Sequence, residues 1–217
     1  EILSLEKKYD FLGNENSPSK IIGFRPSKTF KKVFHRVPML SLSNAFTEED
    51  LINFEKKILN FLNKKNDYKI EFSAEPKIDG ISASLIFKNR KFVTGLSRGD
   101  GTQGEDITEN LKTIKDIPLV ISHKDFPEDI DIRGEVFIET SDFKKIEKDF
   151  ANPRNAASGS LRQKDPKKTS TIPLKFIAYT FGYYSGMKSK KQSEFIKDLS
   201  NWGFKTSELN KTIKGID

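Results

Sequence analysis

Lys77 lies two residues before Asp79 and three before Gly80, in the run Glu75-Pro76-Lys77-Ile78-Asp79-Gly80. The apolar alternation of Ile70, Phe72 and Ala74 just upstream reads as a strand, which places the lysine at its end with Asp79 on the same face. A lysine amine becomes a nucleophile once its proton is lost, so a lysine beside a carboxylate suits covalent catalysis. Gly80 lets another backbone or a ligand come close. The same residues also fit a surface Lys–Asp pair ahead of a turn glycine, and the other motifs must decide.

Arg98-Gly99-Asp100-Gly101 and the following Gly104-Glu105-Asp106 form a glycine-rich loop whose backbone suits close approach to a phosphate or sugar, or an ordinary acidic turn. Arg133-Gly134-Glu135-Val136-Phe137 sets a carboxylate in an apolar strand, where it must be hydrated, paired or bound. A ribose hydroxyl, a nearby metal or Arg133 would each satisfy it. The segment Asn152 to Arg162 is small and polar and carries two arginines, which grip phosphates bidentately; it reads equally as a capped helix start. Pro38 to Asn44 is an apolar loop with hydroxyls. No Walker lysine loop and no G-x-G-x-x-G opening a helix occurs, so a bound nucleotide needs another kind of fold.

The elements that hold these residues alternate without strict order. Thr47 begins a capping box, and Leu51, Phe54, Ile58, Phe61 and Leu62 keep helical spacing to about residue 64. A hairpin is predicted from Ile81 to Phe87 and back from Phe92 to Leu96, turning at Asn89-Arg90. A strand over Asp131 to Ile138 is followed by a short helix with Ser141 as its N-cap and Phe143, Ile146 and Phe150 inward. Leu174 to Phe181 reads as a strand, and Ser189 to Trp202 as a helix closed by Gly203. Residues 1–12 read as the last turns of a helix and 13–30 as a loop. The expected fold class is α+β with largely antiparallel sheets and flanking helices.

With 217 residues the chain forms one generous domain or one domain with small appendages. The balance of 38 basic to 31 acidic residues, a net +7, favours a polyanionic partner. Arginine is scarce against lysine, which marks each arginine as a candidate for work that needs a planar fork. The absence of cysteine excludes disulfides and thiolate metal sites, and His35 and His123 are too far apart in sequence to suggest a ligand cluster. No apolar run approaches the roughly 20 residues of a membrane span, and no signal peptide opens the chain. A cytoplasmic protein without membrane contact is expected, and a piece of a longer one, since the first residue already lies in a helical pattern.

Taken together, Pro38-Met-Leu-Ser-Leu, Glu75-Pro-Lys-Ile-Asp-Gly, Arg98-Gly-Asp-Gly with Gly104-Glu-Asp-Ile-Thr, Arg133-Gly-Glu-Val-Phe and Phe150 to Gln163 closely resemble the adenylation (nucleotidyltransferase) domain of bacterial NAD-dependent DNA ligases. They run in family order over residues 17–182. The resemblance implies an ATP-grasp-like ligase core that takes AMP from NAD, with Mg²⁺ or Mn²⁺, to seal nicks in duplex DNA during replication and repair. Lys77 then corresponds to the nucleophile that keeps AMP as a phosphoramide, with Asp79 orienting it or a metal-bound water. Glu75 resembles the adenine-side contact, Ser41 and Leu42 the loop beside the nucleotide, and Arg98 and Glu135 the ribose and phosphate neighbours. Arg154 and Arg162 resemble residues that handle phosphates of DNA or of the adenylate. No residue is assigned as a metal ligand, and a monomer is expected.

Where the chain departs from the family pattern, it looks like a core fragment. Residues 1–16 match only the end of the nicotinamide-recognition domain plus a linker, and 17–217 the adenylation domain, cut before a D-G-x-V-x-K motif. Asp149 also runs almost directly into Phe150, where the family has a longer loop. The remaining ligase domains would be its partners, and the fragment alone is expected to be weakly active or inactive. Two alternatives stand beside this reading. One is a non-catalytic fragment that binds adenylate or DNA phosphate. The other is an ATP-dependent relative sharing K-x-D-G, against which the Asn152 to Gln163 segment argues.

Overall fold

Residues 9, 30–65 and 67–216 are described in a computed structural model of the chain. The expectations for residues 1–12 and for most of 13–30 lie outside the described residues. The centre is a four-stranded antiparallel sheet of β3 (Ile81–Lys88), β4 (Lys91–Ser97), β6 (Asp129–Phe137) and β7 (Lys175–Tyr184), in the order β4-β3-β6-β7. Two small antiparallel pairs flank it. β1 (Lys32–Phe34) pairs with β5 (Gln103–Glu105), and β2 (Glu71–Ala74) with β8 (Lys211–Lys214). The α+β class expected from the sequence is the one found.

Alternation along the central strands divides the sheet into two faces. Ala83, Leu85 and Phe87 of β3, Ile130, Ile132 and Val136 of β6, and Phe176 and Ala178 of β7 all enter one hydrophobic core. It is closed by Phe195 and Leu199 of the helix α6 (Gln192–Asn201), by Trp202 at the C-cap of that helix, and by Ala156, Ala157 and Leu161 of α4 (Pro153–Leu161). Phe87 stacks edge-on against Phe126 and Phe204, and Phe126 against Trp202, with centroids 4.9–5.7 Å apart.

The opposite face of β6 carries Asp129, Asp131, Arg133 and Glu135 at period two. The segment Phe34–Met39 is bound there. Arg36 pairs with Asp129 at 2.7 Å and with the buried Asp131, its guanidinium 4.3 Å from the centre of the Tyr183 ring. Arg133 donates to the carbonyls of Val37 and Pro38. Burial pulls the Arg133 guanidinium below its usual range, while the charge of Asp131 works the other way.

Local structure departs from the sequence reading in identifiable places. Helix α1 (Glu48–Phe61) has the expected Thr47–Asp50 capping box, yet Leu51, Phe54, Phe61 and Leu62 stay exposed and only Leu59 is buried. Ser141 is not an N-cap. It lies inside the single turn α3 (Thr140–Phe143), whose cap position is Glu139, because the chain leaves β6 extended through that residue. Helix α6 starts at Gln192 rather than Ser189, whose hydroxyl is bonded instead to Asp198. Gly203 closes α6 at φ +94°, as glycine does after a helix.

Candidate active site

β2 ends at Ala74, so Lys77 stands in the connection to β3 rather than on the strand itself. Pro76 removes a ladder donor there, which helps to end the strand. Gly80 brings this connection against β6: a Cβ on it would overlap the Val136 carbonyl oxygen and lie 2.9 Å from Glu135 Cγ. The backbone approached by Gly80 is therefore that of the strand carrying Glu135.

Glu135 is the hub of the site. Register sets Ser82 opposite it, and Ser82 Oγ donates to Glu135 Oε2 at 2.8 Å. Burial pushes the Glu135 carboxyl above the usual carboxylate range, opposed by that hydrogen bond and by the charges of Lys77, Arg154 and Arg98. Glu135 is thus not paired with Arg133, and β6 is an interior strand with β3 on one side and β7 on the other. A carboxylate on which the charges of three cations act makes a polar focus on the charged face of β6.

A cleft of about 420 Å³ opens beside this focus, lined by Ser82, Ser97, Arg98, Arg154, Ser158 and Arg162 among others. Three of the chain's arginines therefore converge, brought from two segments of sequence. Arg98 follows β4. Arg154 and Arg162 stand at the start and just past the end of α4, which begins with Pro153 and is capped by Asn152 accepting from the Asn155 amide at 2.7 Å. Arg154 reaches Asp79 at 3.3 Å between two exposed side chains. Asp79 is thus engaged with Arg154, and no hydrogen bond joins it to Lys77 among the described residues. Arg162 Nε donates to the fully buried Glu105 at 2.8 Å and Nη1 to Ser158 at 3.2 Å, which hold its fork in place.

The glycines of the Arg98 loop serve the chain's own turn. Gly99 and Gly101 have φ of +58° and +94°, and a Cβ on Gly104 would overlap the Ser97 carbonyl oxygen. His35 Nε2 bonds the Arg98 carbonyl at 3.1 Å, and the Met39 amide donates to Gly101 at 2.8 Å. These bonds seat the Pro38–Leu42 loop beside Arg98, leaving Ser41 and Leu42 exposed. Glu75 accepts from Ser73 Oγ at 2.8 Å and from Gln192 Nε2 at 2.9 Å.

Three residues that the sequence reading passed over belong to this region: Ser82, Tyr179 and Gln192. Ser82 had a signal, because it falls on the face opposite Ile81, Ala83 and Leu85. Tyr179 did not. A register shift in the β6–β7 ladder, from Arg133↔Thr180 to Gly134↔Ala178, leaves Tyr179 as the extra residue of a bulge. Burial raises its hydroxyl above the usual phenol range, while a hydrogen bond with Ser82 opposes the rise.

The family model of the NAD-dependent DNA ligase adenylation domain matches residues 27–217. The chain belongs to that family. A DNA ligase of Pelagibacter ubique is 65% identical over 216 residues, covering all of this chain and 32% of the relative. A DNA ligase of Parvibaculum lavamentivorans is 46% identical and covers 95% of this chain, and one of Bradyrhizobium sp. is 45% identical and covers 99%. The adenylation-domain chain spans about a third of the length of these relatives. Among the described residues no helix is long and apolar enough to cross a membrane.

Proposed function

We propose that this chain is the self-adenylating core of a DNA ligase and that Lys77 is its nucleophile. Lys77 Nζ, deprotonated, attacks the α-phosphorus of NAD. The N–P bond forms as the bond to the nicotinamide mononucleotide phosphate breaks, and AMP stays on the lysine as a phosphoramide. The observation that carries this reading is Glu135, buried on a central strand with the charges of Lys77, Arg98 and Arg154 gathered round it. Such a carboxylate suits a ribose hydroxyl, and the arginines suit phosphate oxygens.

Arg98 and Glu135 would hold the ribose and phosphates, Glu75 the adenine side, and Ser41 and Leu42 the flank of the nucleotide. Arg154 and Arg162 line the cleft as forks for adenylate or DNA phosphate. No group of three or more metal-ligating side chains exists among the described residues. A Mg²⁺ would be carried mainly by substrate phosphates and water, with Asp79 of the motif as the carboxylate to orient a metal-bound water. When bound, such an ion would offset charge developing on the phosphorus.

In a longer ligase the adenylate would pass to the 5′-phosphate of a nick in duplex DNA, in the cytoplasm, with the remaining domains as partners. The two parts of the chain would be 1–16, an end of the nicotinamide-recognition domain with linker, and 17–217, the adenylation domain acting as a monomer. The test is intact mass after incubation with NAD, ATP or GTP and Mg²⁺, using this chain and a form extended at both ends. An AMP adduct from NAD that is lost in Lys77→Ala supports the reading. Survival of the adduct in that variant rejects Lys77, and an adduct from ATP but not NAD rejects the NAD assignment.

A further inference from the structure

Gln192, the first residue of α6, touches two walls of the region at once. Its Nε2 donates to Glu75 Oε1 at 2.9 Å and to the Tyr179 carbonyl at 2.6 Å. A carbonyl and an ionised carboxylate only accept, so the amide is settled with its nitrogen toward them. Ser73 Oγ adds a second donor to Oε1 at 2.8 Å. Among the described residues nothing donates to Oε2, which leaves that oxygen as the acceptor for a ligand N–H.

The other partner is equally particular. Tyr179 is the bulged residue of β7, on the strand that neighbours the β6 strand carrying Glu135. Gln192 therefore pins the backbone of the aromatic residue and the carboxylate of Glu75 with one NH₂ group. A lysine here would neutralise Glu75. The neutral amide orients the carboxylate and leaves its charge in place.

We propose that Gln192 is the positioning residue for base recognition in this chain: it locks Glu75 and Tyr179 in the geometry that meets the purine of an adenine nucleotide. The proposal rests on Glu75 lying on the adenine side of the bound nucleotide. Gln192 acts through its two partners, and its loss removes base-side affinity while leaving sugar–phosphate affinity intact.

The test is an NMR titration of the 217-residue chain with AMP and with ribose 5-phosphate. Gln192→Met keeps the side chain's length and removes its donor. It is expected to weaken AMP by about 10-fold, one hydrogen bond to a charged group, with ribose 5-phosphate unchanged. Gln192→Glu sets two carboxylates together. Relative to wild type, its AMP affinity should be poor near pH 8 and recover toward about pH 5.5, as one shared proton replaces the amide hydrogen. AMP binding by Gln192→Met equal to wild type overturns the proposal, as does equal weakening of both ligands or a Gln192→Glu variant that shows no recovery. Wild type that binds AMP no more tightly than ribose 5-phosphate overturns the adenine-side reading of Glu75 itself. Wild type that binds neither ligand overturns the nucleotide reading and this proposal with it.

Discussion

Ser82 stands directly opposite Glu135 in the β3–β6 ladder, and its hydroxyl donates to Glu135 Oε2 over 2.8 Å. The pair holds a carboxylate at the junction of the Lys77 connection, the Arg98 loop and α4. Three charged segments that are remote in sequence meet there because one strand runs through the middle of the sheet.

Glu135 gives the first prediction its sign. Burial, the largest influence, raises its carboxyl above the usual range. A group raised on folding stabilises most below its ordinary pKa, and that contribution is lost as pH rises through the raised value. Neutral Glu135→Gln is therefore expected to melt higher than wild type at about pH 8, with the gap closing toward about pH 4. It should also lose nucleotide affinity. Thermal unfolding across that range checks this, and a gap that widens in acid would contradict it.

Gly80→Ala places a methyl group where the Val136 carbonyl and Glu135 Cγ already lie. Because backbone must shift to admit it, the variant is expected to lose about 1–3 kcal/mol of stability. Urea denaturation measures the loss. An unchanged midpoint would mean that the connection before β3 does not sit against β6.

Arg36→Ala removes the ion-pair partner of the buried Asp131 and leaves the Phe34–Met39 segment held to β6 by Arg133 alone. The expected loss is about 2–4 kcal/mol, since a buried carboxylate loses its ion-pair partner and keeps only the Tyr183 amide and the nearby Arg133 charge. Asp131→Asn added to Arg36→Ala should recover part of it. A double-substitution cycle on the chemical midpoint gives the coupling, and strict additivity would argue against the pair.

The β3–β4 turn makes a prediction of the opposite sign. Asn89 and Arg90 have φ of +48° and +64°, the pairing of a two-residue hairpin turn that favours Asn-Gly. Arg90→Gly should stabilise by about 0.5–1 kcal/mol, because arginine resists that conformation, even with its exposed bond to the Lys124 carbonyl removed. Thermal unfolding decides the sign.

Much of the fold was legible in the sequence because local rules coincide with burial. The β3–β4 hairpin, the β6 and β7 strands and the Thr47 cap follow from alternation, turn residues and capping chemistry, each settled within a few neighbours. Ser141 misled because an N-cap depends on where the chain leaves the preceding strand, not on the residue type alone. Leu51, Phe54 and Phe61 have the spacing of a buried stripe, yet spacing says only that they share a face and not what covers it.

The sequence by itself determined the chemistry at hand: a lysine beside a carboxylate and a glycine, arginines where phosphate must be gripped, a carboxylate in an apolar strand, and the family that combines them. Only the tertiary structure decided who meets whom. The β3–β6 register chose Ser82 for Glu135, and the β6–β7 bulge set Tyr179 apart as the extra residue of its strand. The packing of α6 put Gln192 on Glu75, and burial gave Arg162 to Glu105. The reason is physical: spacing along a chain sets which residues share a face, whereas pairing across elements depends on register, bulges and packing, which arise from contacts between residues scores of positions apart.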